Sequence, residues 1–103
     1  MSAALHIQLS ELAQRQVREA DTWWRRNRSK APNAIREELE KISALLSFHP
    51  AVGARAQDLA LPDVRRIHIE RIRYYVYYRV VGSPEYIEIL AFWSSLRGGL
   101  PPV

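Results

Sequence analysis

Apolar residues in this chain change their period near residue 64. Before it, Ala13, Val17, Ala20 and Trp24 recur at spacings of four, three and four, and Ile35, Leu39, Ile42 and Leu46 repeat the same steps. Those steps trace one face of an α-helix. After it, "VRRIHIERIRYYVYYRV" and "YIEILAFW" alternate with the period of two that marks a half-buried strand. A chain with helices in one half and closely spaced strands in the other builds an antiparallel sheet. Parallel pairing would need a long crossover between neighbouring strands. The expected class is α+β, with helices packed on one face of the sheet.

Local signals place the elements. Leu5, Ile7 and Leu9 alternate with His6 and Gln8, which predicts a short first strand. Ser10 suits a helix N-cap, and Glu11 is favourable in the first turn. This helix should fade at "RNRSKAP". Pro32 fits the opening turn of a second helix, within which Glu37 and Lys41 form an i,i+4 pair. His49 precedes Pro50 and is pushed out of the α region, so the second helix stops there. The short link makes the two helices an antiparallel hairpin. "PAVGARAQDLALPD" reads as a loop-rich connection. Strands follow at Val64–Ile69, Ile72–Val80 and Tyr86–Trp93, turned by "ER" and "VGSPE", and the tail "SSLRGGLPPV" reads as irregular. The order is β-α-α-β-β-β in two layers, a single domain over residues 1–103.

Alternation sorts the side chains. Ile72, Tyr74, Val76, Tyr78 and Val80 should meet the helices, with Ile67 and Ile69 on the preceding strand and Ile87, Ile89, Ala91 and Trp93 on the last. Trp24, Ile35, Leu39, Ile42, Ile67, Val76, Ile89 and Trp93 are expected to share one core. The opposite face then gathers Arg66, His68, Arg73, Tyr75, Tyr77, Arg79 and Tyr86, with Leu90 and Phe92 as an apolar patch beside them. Two readings of this basic–aromatic face stand level. It is either a solvated sheet face with arginines stacked on tyrosines, or a surface for nucleic acid or a partner protein.

Composition bounds the function. Thirteen arginines and two lysines give a net charge of +4, and the pI is about 9.9, a balance that invites an acidic partner. Codon bias toward arginine would explain the count as well. There is no cysteine, hence no disulfide or thiolate metal site, which fits a cytoplasmic protein. No stretch is long and apolar enough for a membrane span, and "MSAALHIQLSE" has no secretory pattern. His6, His49 and His68 lie far apart in sequence, and neither a glycine-rich phosphate loop nor a metal-ligand spacing is present, so no cofactor is expected. Glu37, Glu38 and Glu40 read as a solvated helix flank. Any catalysis would have to use arginine, histidine and tyrosine.

The strand–hairpin–strands order, with "YYVYYRV", "YIEILAFWSSLRG" and the basic segment "WSSLRG", resembles the ParE/RelE toxin superfamily of type II toxin–antitoxin systems, some of which serve plasmid stabilisation. The resemblance spans nearly the whole chain and implies a compact α+β toxin neutralised by a cognate acidic antitoxin. RelE-like members are ribosome-dependent messenger endoribonucleases, whereas ParE-like members poison DNA gyrase. The RelE-like pattern maps onto Arg66, His68, Arg73 and Arg97 as the residues that would surround a scissile phosphate, with His68 moving the proton. Tyr75 stands where the middle-strand arginine of that pattern falls, and no tyrosine or histidine follows Arg97. The resemblance is therefore closer to the ParE branch. A ribonuclease acting on ribosome-bound messenger, and a non-toxic module that only binds antitoxin, are the alternatives. Tyr75, Tyr77, Arg79, Tyr86, Leu90 and Phe92 are the expected binding surface.

Overall fold

A computed structural model describes residues 4–103. The elements are β1 (Ile7–Leu9), α1 (Glu11–Asn27), α2 (Ala34–Phe48), β2 (Ala54–Arg55), β3 (Arg65–Ile69), β4 (Tyr74–Val81) and β5 (Tyr86–Ser94). They form an α+β fold in which the helical pair packs on a five-stranded sheet of order β1-β5-β4-β3-β2. All pairings are antiparallel except β1 with β5, which run parallel because the whole helical hairpin lies between them in sequence.

Capping explains where the helices begin and end. Ser10 Oγ accepts the Ala13 N–H at 3.1 Å and donates to the Leu90 carbonyl at 3.1 Å, so one hydroxyl starts α1 and ties it to β5. Asn33 precedes α2 without a side-chain cap, and His49 closes it by donating its N–H to Leu45 O at 2.8 Å. The expected Glu37–Lys41 pair is not made. Lys41 pairs with Glu38 at 3.2 Å, while Arg71 reaches across from the β3–β4 turn to Glu37 at 3.1 Å and Glu38 at 3.0 Å. The acidic flank of α2 is thus an anchor for the sheet as well as a solvated face.

Three departures from the sequence expectation shape the surface. The first is a β-bulge. Tyr78 pairs with Ile89 but Tyr77 pairs with Ala91, so Leu90 is an extra residue on β5. Strand alternation flips there. Ile87 and Ile89 face the helices as expected, but beyond the bulge Phe92 does so instead of Ala91 and Trp93. The helix-side core holds Ile35, Ile42, Leu46, Val76, Tyr78, Ile87, Ile89 and Phe92, with Trp24, Leu39 and Ile67 packed against it; Trp93 belongs to the other side.

The second departure is that the far face of the sheet is covered. Val64, Tyr77, Leu90, Ala91 and Trp93 form a second apolar cluster, closed by Ala56, Leu59 and Leu61 and by Val103. The Ala60 N–H donates to Val103 O at 2.9 Å, which joins the loop to the tail. The expected two layers are locally three. The third departure is the β3–β4 turn. It takes four residues, Glu70–Arg73, rather than two, and Arg73 adopts φ +57° while donating its N–H to Ile69 O at 2.9 Å. Ile72 still enters the core from this turn, but Arg73 leaves the strand.

Candidate functional site

The cross-strand register brings His68, Tyr75 and Trp93 into one row, since His68 pairs with Tyr75 and Tyr75 with Trp93. Arginines lie over two of these rings. The Arg66 guanidinium sits 4.4 Å from the Tyr75 centroid and donates to the Tyr77 hydroxyl at 3.2 Å. Arg97 sits 4.0 Å over Trp93. Three of the four residues expected around a phosphate, Arg66, His68 and Arg97, are therefore held on this one aromatic row. Arg73 is not with them: its positive φ turns it toward Trp23, Trp24 and Arg28.

Both nitrogens of His68 are engaged. Nε2 lies 3.0 Å from Ser95 Oγ, whose own proton goes to Arg73 O at 2.9 Å, so the imidazole is the donor in that bond. Nδ1 lies 3.2 Å from the Glu70 carboxylate. Ser95 was invisible as a partner in the sequence, because it becomes a neighbour of His68 only through the pairing of β3 and β5 with β4.

The expected binding surface is only partly a surface. Tyr77, Leu90 and Phe92 are buried, the first two in the covered far-side cluster and Phe92 in the helix-side core. Phe92 stacks on Tyr74 at 4.5 Å. Tyr75, Arg79 and Tyr86 remain half-exposed, and Arg79 is neutralised by Glu88, its cross-strand partner, at 3.0 Å. The β5 edge at Leu90 and Phe92 is closed by α1, because Gln16 Oε1 accepts the Phe92 N–H at 2.8 Å and Ser10 Oγ donates to Leu90 O. An added strand would have to displace both bonds.

The open edge is on the other side of the sheet. β2 pairs only with Arg65 and Arg66, so β3 runs past it at Ile67–Ile69. There a groove of about 340 Å³ lies between β3 and α2, lined by Ile42, Leu45, Ile67 and Ile69 with Glu38, Lys41, Glu70 and Arg71 around them. Leu45 is 37% exposed and Phe48, three residues on, 64%. Both fall off the four-three-four stripe of α2, and that misfit was the sequence signal for a second apolar strip. Arg71 holds the Glu38 carboxyl below the usual carboxylate range, chiefly through its hydrogen bond.

Among the described residues, no three His, Asp or Glu side chains come together as metal ligands. No helix among them is long and apolar enough to cross a membrane.

Comparison with known proteins places this geometry in a family. No curated protein matches the chain. Among solved structures, the chain is similar to one described as the chromosomal ParDE toxin–antitoxin system from P. aeruginosa, with 20% identity, a TM-score of 0.71, and coverage of 90% of this chain and 98% of that one. That likeness is one of fold. The sequence model described as the ParE toxin of type II toxin–antitoxin systems, parDE, matches residues 7–98. With nine-tenths of its length under that match, from β1 through the basic segment after β5, the chain belongs to the ParE toxin family.

Proposed function

We propose that the chain is the toxin of a type II toxin–antitoxin pair, that it acts on DNA gyrase, and that an acidic antitoxin neutralises it. The observation that carries the reading is the family match over residues 7–98. One feature of the geometry favours a ParE-type action over messenger cleavage. Arg73 is turned away from Arg66, His68 and Arg97, so the four cations do not surround one point.

The antitoxin's position follows from what the fold leaves open. An amphipathic helix fits the strip of Leu45 and Phe48, and an extended segment can pair with the free edge of β3 at Ile67–Ile69. Lys41 and Arg71 on the rim are balanced by Glu38 and Glu70, so the groove supplies apolar contact, while the chain's net charge of +4 favours an acidic partner and would speed encounter. A chain that is disordered when alone can follow this convex route in one piece.

The test is biochemical. Purified protein is added to gyrase and supercoiled plasmid, and separately to ribosomes translating a defined messenger. Accumulation of gyrase-bound broken DNA with intact messenger supports the reading. Messenger cleavage that disappears in the His68→Ala, Arg97→Ala double variant replaces it with the ribonuclease reading.

A further inference from the structure

A second groove, of about 630 Å³, opens at the C-terminal end of α1 and shares only Arg71 with the groove beside α2. Trp23, Trp24 and Arg28 form one wall, and Arg73, Tyr74 and Leu96 the other. Its chemistry is one-sided. Three arginines line it and no carboxylate does. Arg71 is taken up by Glu37 and Glu38, but Arg28 and Arg73 have no carboxylate partner among the described residues. The Trp24 indole Nε1 is buried without an acceptor, a donor that is costly to leave unpaired. The rim is apolar and open to solvent, with Trp23 46% and Leu96 75% exposed. Tryptophan, tyrosine and arginine together are the residues that dominate protein–protein hot spots.

From this complementarity we infer that the groove docks an acidic peptide segment of a partner protein, one carrying an aromatic or aliphatic side chain next to carboxylates. The carboxylates answer Arg28 and Arg73, and the apolar side chain covers Trp23 and Leu96. A nucleic-acid strand fits less well. It needs a basic track along its backbone, whereas here the positive field is a spot bounded by Glu19 near Tyr74 and by Glu37 and Glu38 at Arg71. The inference stands on the groove's own chemistry and does not depend on gyrase being the target.

Isotope-labelled full-length protein is titrated with a capped synthetic peptide in which glutamates and aspartates flank a central phenylalanine. The indole N–H resonances of Trp23 and Trp24 and the peptide affinity are followed. The expected result is saturable movement of the Trp24 signal, with affinity weakened roughly tenfold by Arg73→Gln, as for the loss of one charge-assisted hydrogen bond. Arg36→Gln, an equal charge loss on exposed α2, leaves affinity unchanged. If Arg73→Gln perturbs the fold, Leu96→Ser at the exposed rim takes its place and also weakens binding. The inference is overturned if Trp24 does not respond, if Arg36→Gln weakens binding equally, if the Gln/Asn version of the peptide binds as well, or if an oligo-dT strand binds more tightly than the acidic peptide.

Discussion

The Tyr78 hydroxyl lies 2.8 Å from the Gly53 amide nitrogen and accepts its hydrogen bond, while donating its own proton to Pro50 O at 2.9 Å. The bond pins the connection after α2 onto the middle strand, next to β2. A Cβ on Gly53 would stand 2.6 Å from that hydroxyl and 2.9 Å from the Arg66 carbonyl, a backbone atom that cannot swing aside. Gly53→Ala should therefore destabilise by about 1–3 kcal/mol through overpacking. Tyr78→Phe should cost about 1–3 kcal/mol by leaving a buried N–H without its acceptor. Denaturant unfolding of both variants measures this, and stabilities equal to wild type would refute the contact.

The same tyrosine predicts an alkaline limit. Burial raises the Tyr78 pKa, against the opposing pull of the Gly53 N–H, and Tyr74 is raised by burial as well. A group whose folded pKa exceeds its unfolded one holds its stabilisation below the unfolded value and loses it as pH climbs toward the folded one. Stability should therefore begin to fall above roughly pH 10, the ordinary tyrosine value. Tyr78→Phe should flatten the decline, and an unchanged alkaline slope in that variant would count against it.

Acid acts through the opposite sign. Arg71 lowers the Glu38 carboxyl, so the stabilisation is present above the unfolded pKa of about 4.3 and lost as pH falls through the lower folded value. Arg71→Met should reduce the acid slope of stability while changing neutral stability little, because the pair is partly exposed and screened. A large neutral loss would show that Arg71 does more than pair with α2.

Phe92 distinguishes the bulged register from simple alternation. Phe92→Ala should cost about 3–5 kcal/mol and Ile89→Ala about 2–5 kcal/mol, since both side chains fill the helix-side core. Strict alternation along β5 would instead put Phe92 on the far face with Tyr77 and Leu90, and Trp93 in the helix-side core; in denaturant unfolding, a Phe92→Ala loss well below that of Ile89→Ala would favour it.

Most of the fold was legible in the sequence because its signals were local. The helix stripes, the Ser10 cap and the His49–Pro50 stop each rest on neighbouring residues. The flipped end of β5 was not legible, because "ILAFW" is apolar at every position and reads the same whether or not Leu90 is looped into a bulge; only pairing with Tyr77 and Tyr78 reveals it. The departure of Arg73 from the outer face is illegible for a similar reason, as a four-residue turn and a two-residue turn look alike in "ERIR". The covered far face depended on a tail with two glycines and two prolines folding back so that Val103 meets Ala60, a long-range event that no periodicity encodes.

Antitoxin docking on α2 and the β3 edge can be tested without disturbing the core. Leu45→Asp with Phe48→Asp changes two exposed side chains, so the toxin should keep its unfolding midpoint. Affinity for the co-encoded antitoxin should fall by about 2 kcal/mol or more, the scale of an interface hot spot. Undiminished neutralisation by antitoxin would place the interface elsewhere.

The central claim is tested most directly by inducing the chain in cells that lack the antitoxin, then following a DNA-damage reporter and amino-acid incorporation together over time. A gyrase-directed toxin raises the damage reporter first, while incorporation continues. Incorporation that stops before any damage signal, or growth that proceeds unchanged, contradicts it.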